Sequence, residues 1–346
     1  MLFRAIYALF LALVTLTSTS VAFSAGEVRV ITDRTPSHLQ PLFEQYEKGT
    51  GTKINAVFVD EGLIARLAAR PTEADLVITS TADILERAKQ DGLLGPVSSD
   101  IISSIHPDFR DPDGTYVILS YRARALYVSR DRVKPGEITR YEELADPKWR
   151  GRVCIRSGYH RYNVSLFAQM AADRGLQWTR TFLSGLRDNL ARKPTGNDRN
   201  QVRGIYEGVC DVAVANSYYM PIMLGRDDQR AWGQSATVVF PDQDGRGTYV
   251  MTGGMALTTS GRAVEDATRL MEFLVSDYGQ TFMVNTTFEY AVVDGIDMPA
   301  AVKELGQTQP QVVDGHFEAN VMLLRRIDEQ RASISSILDE INFDSK

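Results

Sequence analysis

Residues 27–92 read EVRVITDRTPSHLQPLFEQYEKGTGTKINAVFVDEGLIARLAARPTEADLVITSTADILERAKQDG. Three β-branched runs punctuate this stretch: Val28-Arg29-Val30-Ile31, Lys53 to Val59, and Ala74-Asp75-Leu76-Val77-Ile78. Amphipathic segments follow each of them, at His38 to Tyr46, Gly62 to Ala69 and Ala82 to Gln90. Ser37 stands where a helix cap is expected, and Gly49, Gly51 and Gly92 stand where helices stop. Strand and helix in strict alternation predict a doubly wound α/β unit. Such sheets take ligands at the carboxyl ends of their strands.

Outward from this unit the pattern repeats with different spacing. A second α/β unit begins near residue 123, with strands predicted at Val153-Cys154-Ile155 and Asp211 to Ala215. Helices are predicted from Asn163 to Arg174, Trp178 to Leu190 and Ala263 to Val275, and one or two more within Glu318 to Ile341. Thr248 to Leu257 reads as extended and passes through Gly253-Gly254. At 346 residues the chain has room for about two domains of ~150 residues each. The reading is two lobes: residues 26–122 with 250–297, and residues 123–249 with 298–346. Crossovers are expected at Ser120 to Arg124 and Thr248 to Met251, which would allow hinge closure over a cleft.

Residues 1–25 read as an export signal. Arg4 is basic, Ala5 to Leu16 is apolar, and a small polar stretch follows, with cleavage after Ala22 or Ala25. The apolar run is shorter than the ~20 residues that a membrane span needs. A periplasmic location is the expectation. The net charge of -6 offers no electrostatic footprint for nucleic acid or an anionic membrane.

Catalytic signatures are missing. There is no Gly-x-Ser-x-Gly elbow, Walker loop, Gly-x-Gly-x-x-Gly or His-Glu-x-x-His. The 4 His stand singly, at 38, 106, 160 and 316, and read as surface residues. Asp111/Asp113 and Asp242/Asp244 flank Pro or Gly and read as turns. The expectation is that the protein is not an enzyme.

Two segments carry chemistry. Cys154 is followed eight residues later by Tyr162, and Cys210 at the same distance by Tyr218, with Tyr219 beside it. An even Cys count in an exported chain favours a Cys154–Cys210 bond. That bond would bring the two tyrosine-bearing loops together. Three phenols at a cleft fit either a stacking surface for a flat ligand or a site for a hard metal. Phenolate is a hard oxygen donor with a free pKa near 10, so only a strongly polarising cation such as Fe³⁺ displaces its proton at neutral pH. Zn²⁺ prefers His and Cys. The 14 Tyr against 4 His fit ferric iron better.

These segments, with Ile31-Thr32-Asp33-Arg34, Ala74-Asp75-Leu76-Val77 and Asp146-Pro147-Lys148-Trp149-Arg150-Gly151, resemble the periplasmic ferric-iron-binding proteins. That family is the transferrin-like branch of the solute-binding proteins of ABC transporters. The resemblance runs over nearly the whole chain after the leader, and its specific part is Tyr162-Asn163 with Asn216-Ser217-Tyr218-Tyr219. It implies a two-lobe type II periplasmic binding fold and Fe³⁺ ligation by Tyr162, Tyr218 and Tyr219. It implies a monomer that serves an inner-membrane ABC permease. Thr35-Pro36 and Thr79-Ser80-Thr81 stand where many members place N-terminal-lobe ligands. The resemblance therefore falls on the branch with three tyrosines and a completing carbonate or other small anion. Arg34, Arg122 and Arg124 are the candidates for offsetting that anion. Asp198 reads as a possible supporting group or a turn residue. Tyr159 and His160 are substitute ligands ranked below Tyr162. A binder of phosphonate, thiosulfate or polyamine is the alternative reading, and an exported hydrolase a more remote one.

Overall fold

A computed structural model describes residues 26–345, so the leader segment lies outside the described residues. Nine strands form one continuous sheet system. They are β1 (Glu27–Thr32), β2 (Lys53–Phe58), β3 (Leu76–Thr79), β4 (Val117–Ser129), β5 (Val153–Cys154), β6 (Val212–Asn216), β7 (Ala236–Val239), β8 (Thr248–Leu257) and β9 (Ala319–Asn320). The order is β2-β1-β3-β8-β4-β6-β5, with β7 added to β4 and β9 to β8. β1 pairs in parallel with both β2 and β3, as alternating strands and helices require. β8 then runs antiparallel between β3 and β4. This is the two-lobe α/β architecture of periplasmic binding proteins.

β4 changes partners along its length. Val117 to Ala123 pair with β8, whereas Arg124 to Val128 pair with β6 and Leu126 to Ser129 with β7. The handover falls between Ala123 and Arg124, opposite Val250 on β8. All ten residues of β8 and nearly all of β4 are buried, as expected of strands covered on both faces. Arg122 and Arg124 are therefore anomalous, being charged side chains in the middle of a covered strand. Their neighbours locate the site.

Helix boundaries differ modestly from the expected ones. The first helix spans Pro36–Thr50, because Pro at the first turn suits helical φ, and Gly51 ends it at φ 77°. The helix bearing Tyr162 spans Arg161–Arg174 and the next Leu176–Asp188. The C-terminal stretch holds two helices, Leu324–Asp328 and Arg331–Glu340, preceded by β9. No helix among the described residues is long and apolar enough to cross a membrane.

Cys154 and Cys210 are bonded, with Cα atoms 5.9 Å apart, and tie β5 to the entry of β6. A Cβ on Gly204 would lie 3.1 Å from both sulfurs, so the Asp198–Tyr206 helix packs directly on the bond. The disulfide closes 56 residues of chain, and the chain-entropy argument gives roughly 4 kcal/mol of stabilisation. A Cys154→Ala/Cys210→Ala variant is expected to lose that amount in urea unfolding. A loss below ~0.5 kcal/mol would overturn this expectation.

Candidate functional site

Local structure presents each tyrosine. Tyr162 is the second residue of its helix, and His160 is the cap: Nδ1 accepts from the Tyr162 backbone N–H at 3.2 Å. Burial, and then the nearby Arg156 charge, hold this imidazole down to about 3, so it stays neutral and keeps its acceptor. His160 is thus committed to capping and is no surface residue. The loop before it is buttressed from the C-terminus, where Asp344 accepts from the Gly158 N–H at 2.8 Å. Tyr218 and Tyr219 follow the end of β6. The Ser217 N–H donates to the Ala123 carbonyl at 3.0 Å, and the Ser217 hydroxyl accepts from the Ala123 N–H at 3.2 Å. The Tyr127 hydroxyl donates to the Asn216 carbonyl at 2.8 Å.

The three phenols meet in one cavity of about 550 Å³. Tyr218 and Tyr219 are in ring contact, with centroids 4.3 Å apart. Guanidiniums surround the Tyr162 ring: Arg122 at 5.4 Å, Arg156 at 5.6 Å, Arg161 at 5.8 Å and Arg124 at 6.0 Å from its centroid. Burial pushes the Tyr218 phenol well above its ordinary value, and Tyr162 and Tyr219 push it further. Tyr219 is raised in the same way by burial and by Asp198. Both are therefore neutral until a cation replaces their protons. No cluster of His, Cys, Asp or Glu suited to a metal occurs among the described residues. The donor set is phenolic.

Arg34 and Arg122 add positive charge to the cavity lining. Arg34 donates from Nη1 to the Ser120 hydroxyl at 3.1 Å and from Nη2 to Glu289 at 2.7 Å. Gly253 makes room for it, since a Cβ there would lie 2.4 Å from Arg34 Nη1. Arg122 donates to the Ser80 carbonyl and lies 3.9 Å from Glu289. Arg34 Nε and Arg122 Nε and Nη1 are buried with no acceptor among the described residues. Both residues line the cavity, so an anion held there would meet their charge.

Arg124 stands behind this lining. Its Nη1 donates to Asp198 and to Asn216 at 3.2 Å, and its Nη2 to Asn163 at 2.6 Å. Asp198 is fully buried. Burial opposes its charge, but Arg124 and Arg156 outweigh burial and lower its pKa. It is an ion-pair anchor, where the sequence left a turn residue in play.

Glu289, like Asp33, is a buried carboxylate on the cavity lining. Burial raises its pKa, yet Arg34 and Arg122 more than reverse this and hold it at about 2. A depressed carboxyl stabilises the fold above its ordinary pKa and loses that contribution as pH falls toward the folded value. Wild-type stability should therefore fall from about pH 4.5 to about pH 2 more steeply than that of Glu289→Gln. Urea unfolding at several pH values checks this, and equal slopes would refute it.

Several expected positions lie elsewhere. Tyr159 is 42% exposed and its hydroxyl donates to Asp339 at 2.6 Å, outside the cavity. Thr35 is exposed, and Ser80 is tied to Asp33, from its N–H at 2.5 Å and its hydroxyl at 3.0 Å. Conversely, His38, Arg161 and Glu289 line the cavity, and sequence reading passed over all three. Arg161 also bridges the walls, donating to the Asp60 carbonyl at 2.8 Å and to the Asp33 carbonyl at 3.4 Å.

Fold and cleft together define a two-lobed solute-binding protein. The chain belongs to the family described as bacterial extracellular solute-binding protein, which matches residues 72–313. It is 33% identical over 321 residues to iron uptake protein A1 of Synechocystis sp., spanning 91% of this chain and 86% of that one. Iron uptake protein A2 of the same organism is 37% identical over 254 residues, spanning 71% and 73% of the respective chains. The apo ferric ion-binding protein A of Pasteurella haemolytica has a TM-score of 0.85 at 34% identity, covering 93% of this chain and 99% of that one. A Trichodesmium protein solved with iron and citrate has a TM-score of 0.82 at 29% identity, covering 92% and 100%.

Proposed function

We propose that this chain is the substrate-binding component of a ferric-iron ABC uptake system. It captures Fe³⁺ in the interlobe cleft through the phenolates of Tyr162, Tyr218 and Tyr219 and delivers it to an inner-membrane permease. The observation that carries this reading is the convergence of three phenols on one cavity that Arg34 and Arg122 also line. Three phenolates balance the charge of Fe³⁺. A carbonate or other small anion then completes the coordination and meets the charge of Arg34 and Arg122, while Arg124 supports Tyr162 from behind. The named relatives supply the cargo: iron uptake proteins and ferric-binding proteins.

The same reading places the protein in the periplasm after removal of residues 1–25, as a monomer. One lobe comprises residues 26–122 and 250–297, and the other 123–249 and 298–346, with β4 and β8 as the connections. The test is a titration of iron-free protein with ferric nitrilotriacetate, followed by metal analysis and a visible spectrum. Stoichiometric iron and a phenolate-to-iron charge-transfer band are expected. A colourless protein that retains no iron after desalting would overturn the proposal, and uptake of a phosphonate instead would favour the alternative solute.

A further inference from the structure

His38 lies on the first helix and lines the same cavity as Tyr162 and Tyr219. Its ring meets Tyr218 edge-on, with centroids 5.7 Å apart and planes at 85°. Its Nδ1 faces Arg34 Nη2 at 3.5 Å. A guanidinium offers donors only, so Nδ1 turns a lone pair toward it and the ring proton resides on Nε2. That leaves the ring a single N–H donor, on Nε2. Its other nitrogen is already engaged, which argues against direct metal ligation.

Beside this ring stand the guanidiniums of Arg34 and Arg122, which line the same cavity. Arg34 and Arg122 bring two positive charges to this lining and Glu289 one negative, leaving an excess of one positive charge. That excess suits an anion, and a neutral donor adds direction without adding charge.

We propose that His38 selects and orients the oxyanion of this site. Its Nε2–H donates to one oxygen of a carbonate-sized anion whose charge the guanidiniums of Arg34 and Arg122 offset. The inference rests on the ferric-iron reading and adds a selecting contact from the first helix. Nothing in a lone histidine announces this role. It follows from the donor-only guanidinium beside it.

Two measurements test it. In iron-free protein, nitrogen NMR of labelled histidine is expected to show His38 as the Nε2–H tautomer. The opposite tautomer would overturn the inference without any use of iron. In iron-loaded protein, bicarbonate is titrated against ferric nitrilotriacetate and the visible band is followed. The His38→Leu variant should need about 10- to 100-fold more bicarbonate for half-maximal colour, the cost of one hydrogen bond to a charged group. At saturating bicarbonate its band should match the wild type. His38→Gln, which restores an N–H donor, should recover most of the loss. An unchanged bicarbonate midpoint in His38→Leu, or no recovery in His38→Gln, would overturn the proposal. A bleached band at saturating bicarbonate would do so too, because it would make His38 a metal ligand. A wild type that takes up no iron would instead sink the underlying ferric reading.

Discussion

Tyr218→Phe will lower ferric-iron affinity by more than about 100-fold and strip most of the phenolate-to-iron colour. Partners that merely orient a metal ligand cost about 10- to 100-fold when removed, so loss of a ligand should exceed that range. The substitution removes one oxygen and leaves the ring, which is 3% exposed and packed against Tyr219 and His38. Before metal arrives this phenol is neutral, so the iron-free fold should be nearly as stable as the wild type. Competition with nitrilotriacetate measures the affinity, and urea unfolding of iron-free protein checks the fold. Tyr159→Phe is the control, because that hydroxyl is engaged with Asp339 outside the cavity. A Tyr218→Phe protein with wild-type colour and affinity would remove this residue from the proposed ligand set.

Asp198→Ala should be the most destabilising of the single substitutions considered. Asp198 and Arg124 are both fully buried and paired with each other. Removing one member of such a pair strands the other charge and costs about 3–5 kcal/mol. The Asn216 backbone N–H also donates to Asp198, at 3.1 Å, so the chain just before Tyr218 loses an anchor. Reduced stability in urea and weaker iron retention should therefore appear together. Asp198→Asn keeps an acceptor while losing the charge, and its stability should fall between the two. A loss below ~1 kcal/mol in Asp198→Ala would show that Arg124 is compensated in some other way.

Much of the scaffold was legible because its signals are local. The runs at Val28, Lys53 and Ala74 are rich in β-branched residues, and they form β1, β2 and β3 as read. The paired Cys and the tyrosines downstream of them needed only short-range spacing and an assumed bond, and the structure has that bond. The motif asparagines are explained by packing. Asn163 and Asn216 each accept from Arg124, one from either tyrosine segment. What escaped reading depends on long-range approach. Glu289 meets Arg34 across 255 residues of sequence, from an irregular segment after Phe288. His38 looked like any surface histidine, because nothing in its neighbours reveals that the first helix turns it toward Tyr218. Asp198 looked like a turn because it opens a helix, and its buried partner lies 74 residues away.

The Arg161 bridge has a kinetic side. All three phenols stand on one wall, so on the ferric reading iron can land there whether or not the other wall has arrived. Arg161 immediately precedes Tyr162 and grips the Asp33 and Asp60 carbonyls opposite. Arrival would then be set by encounter with the phenols alone. Residence would be set by how often Arg161 lets go. Loosening that grip should shorten the dwell time of iron and leave its rate of capture unchanged.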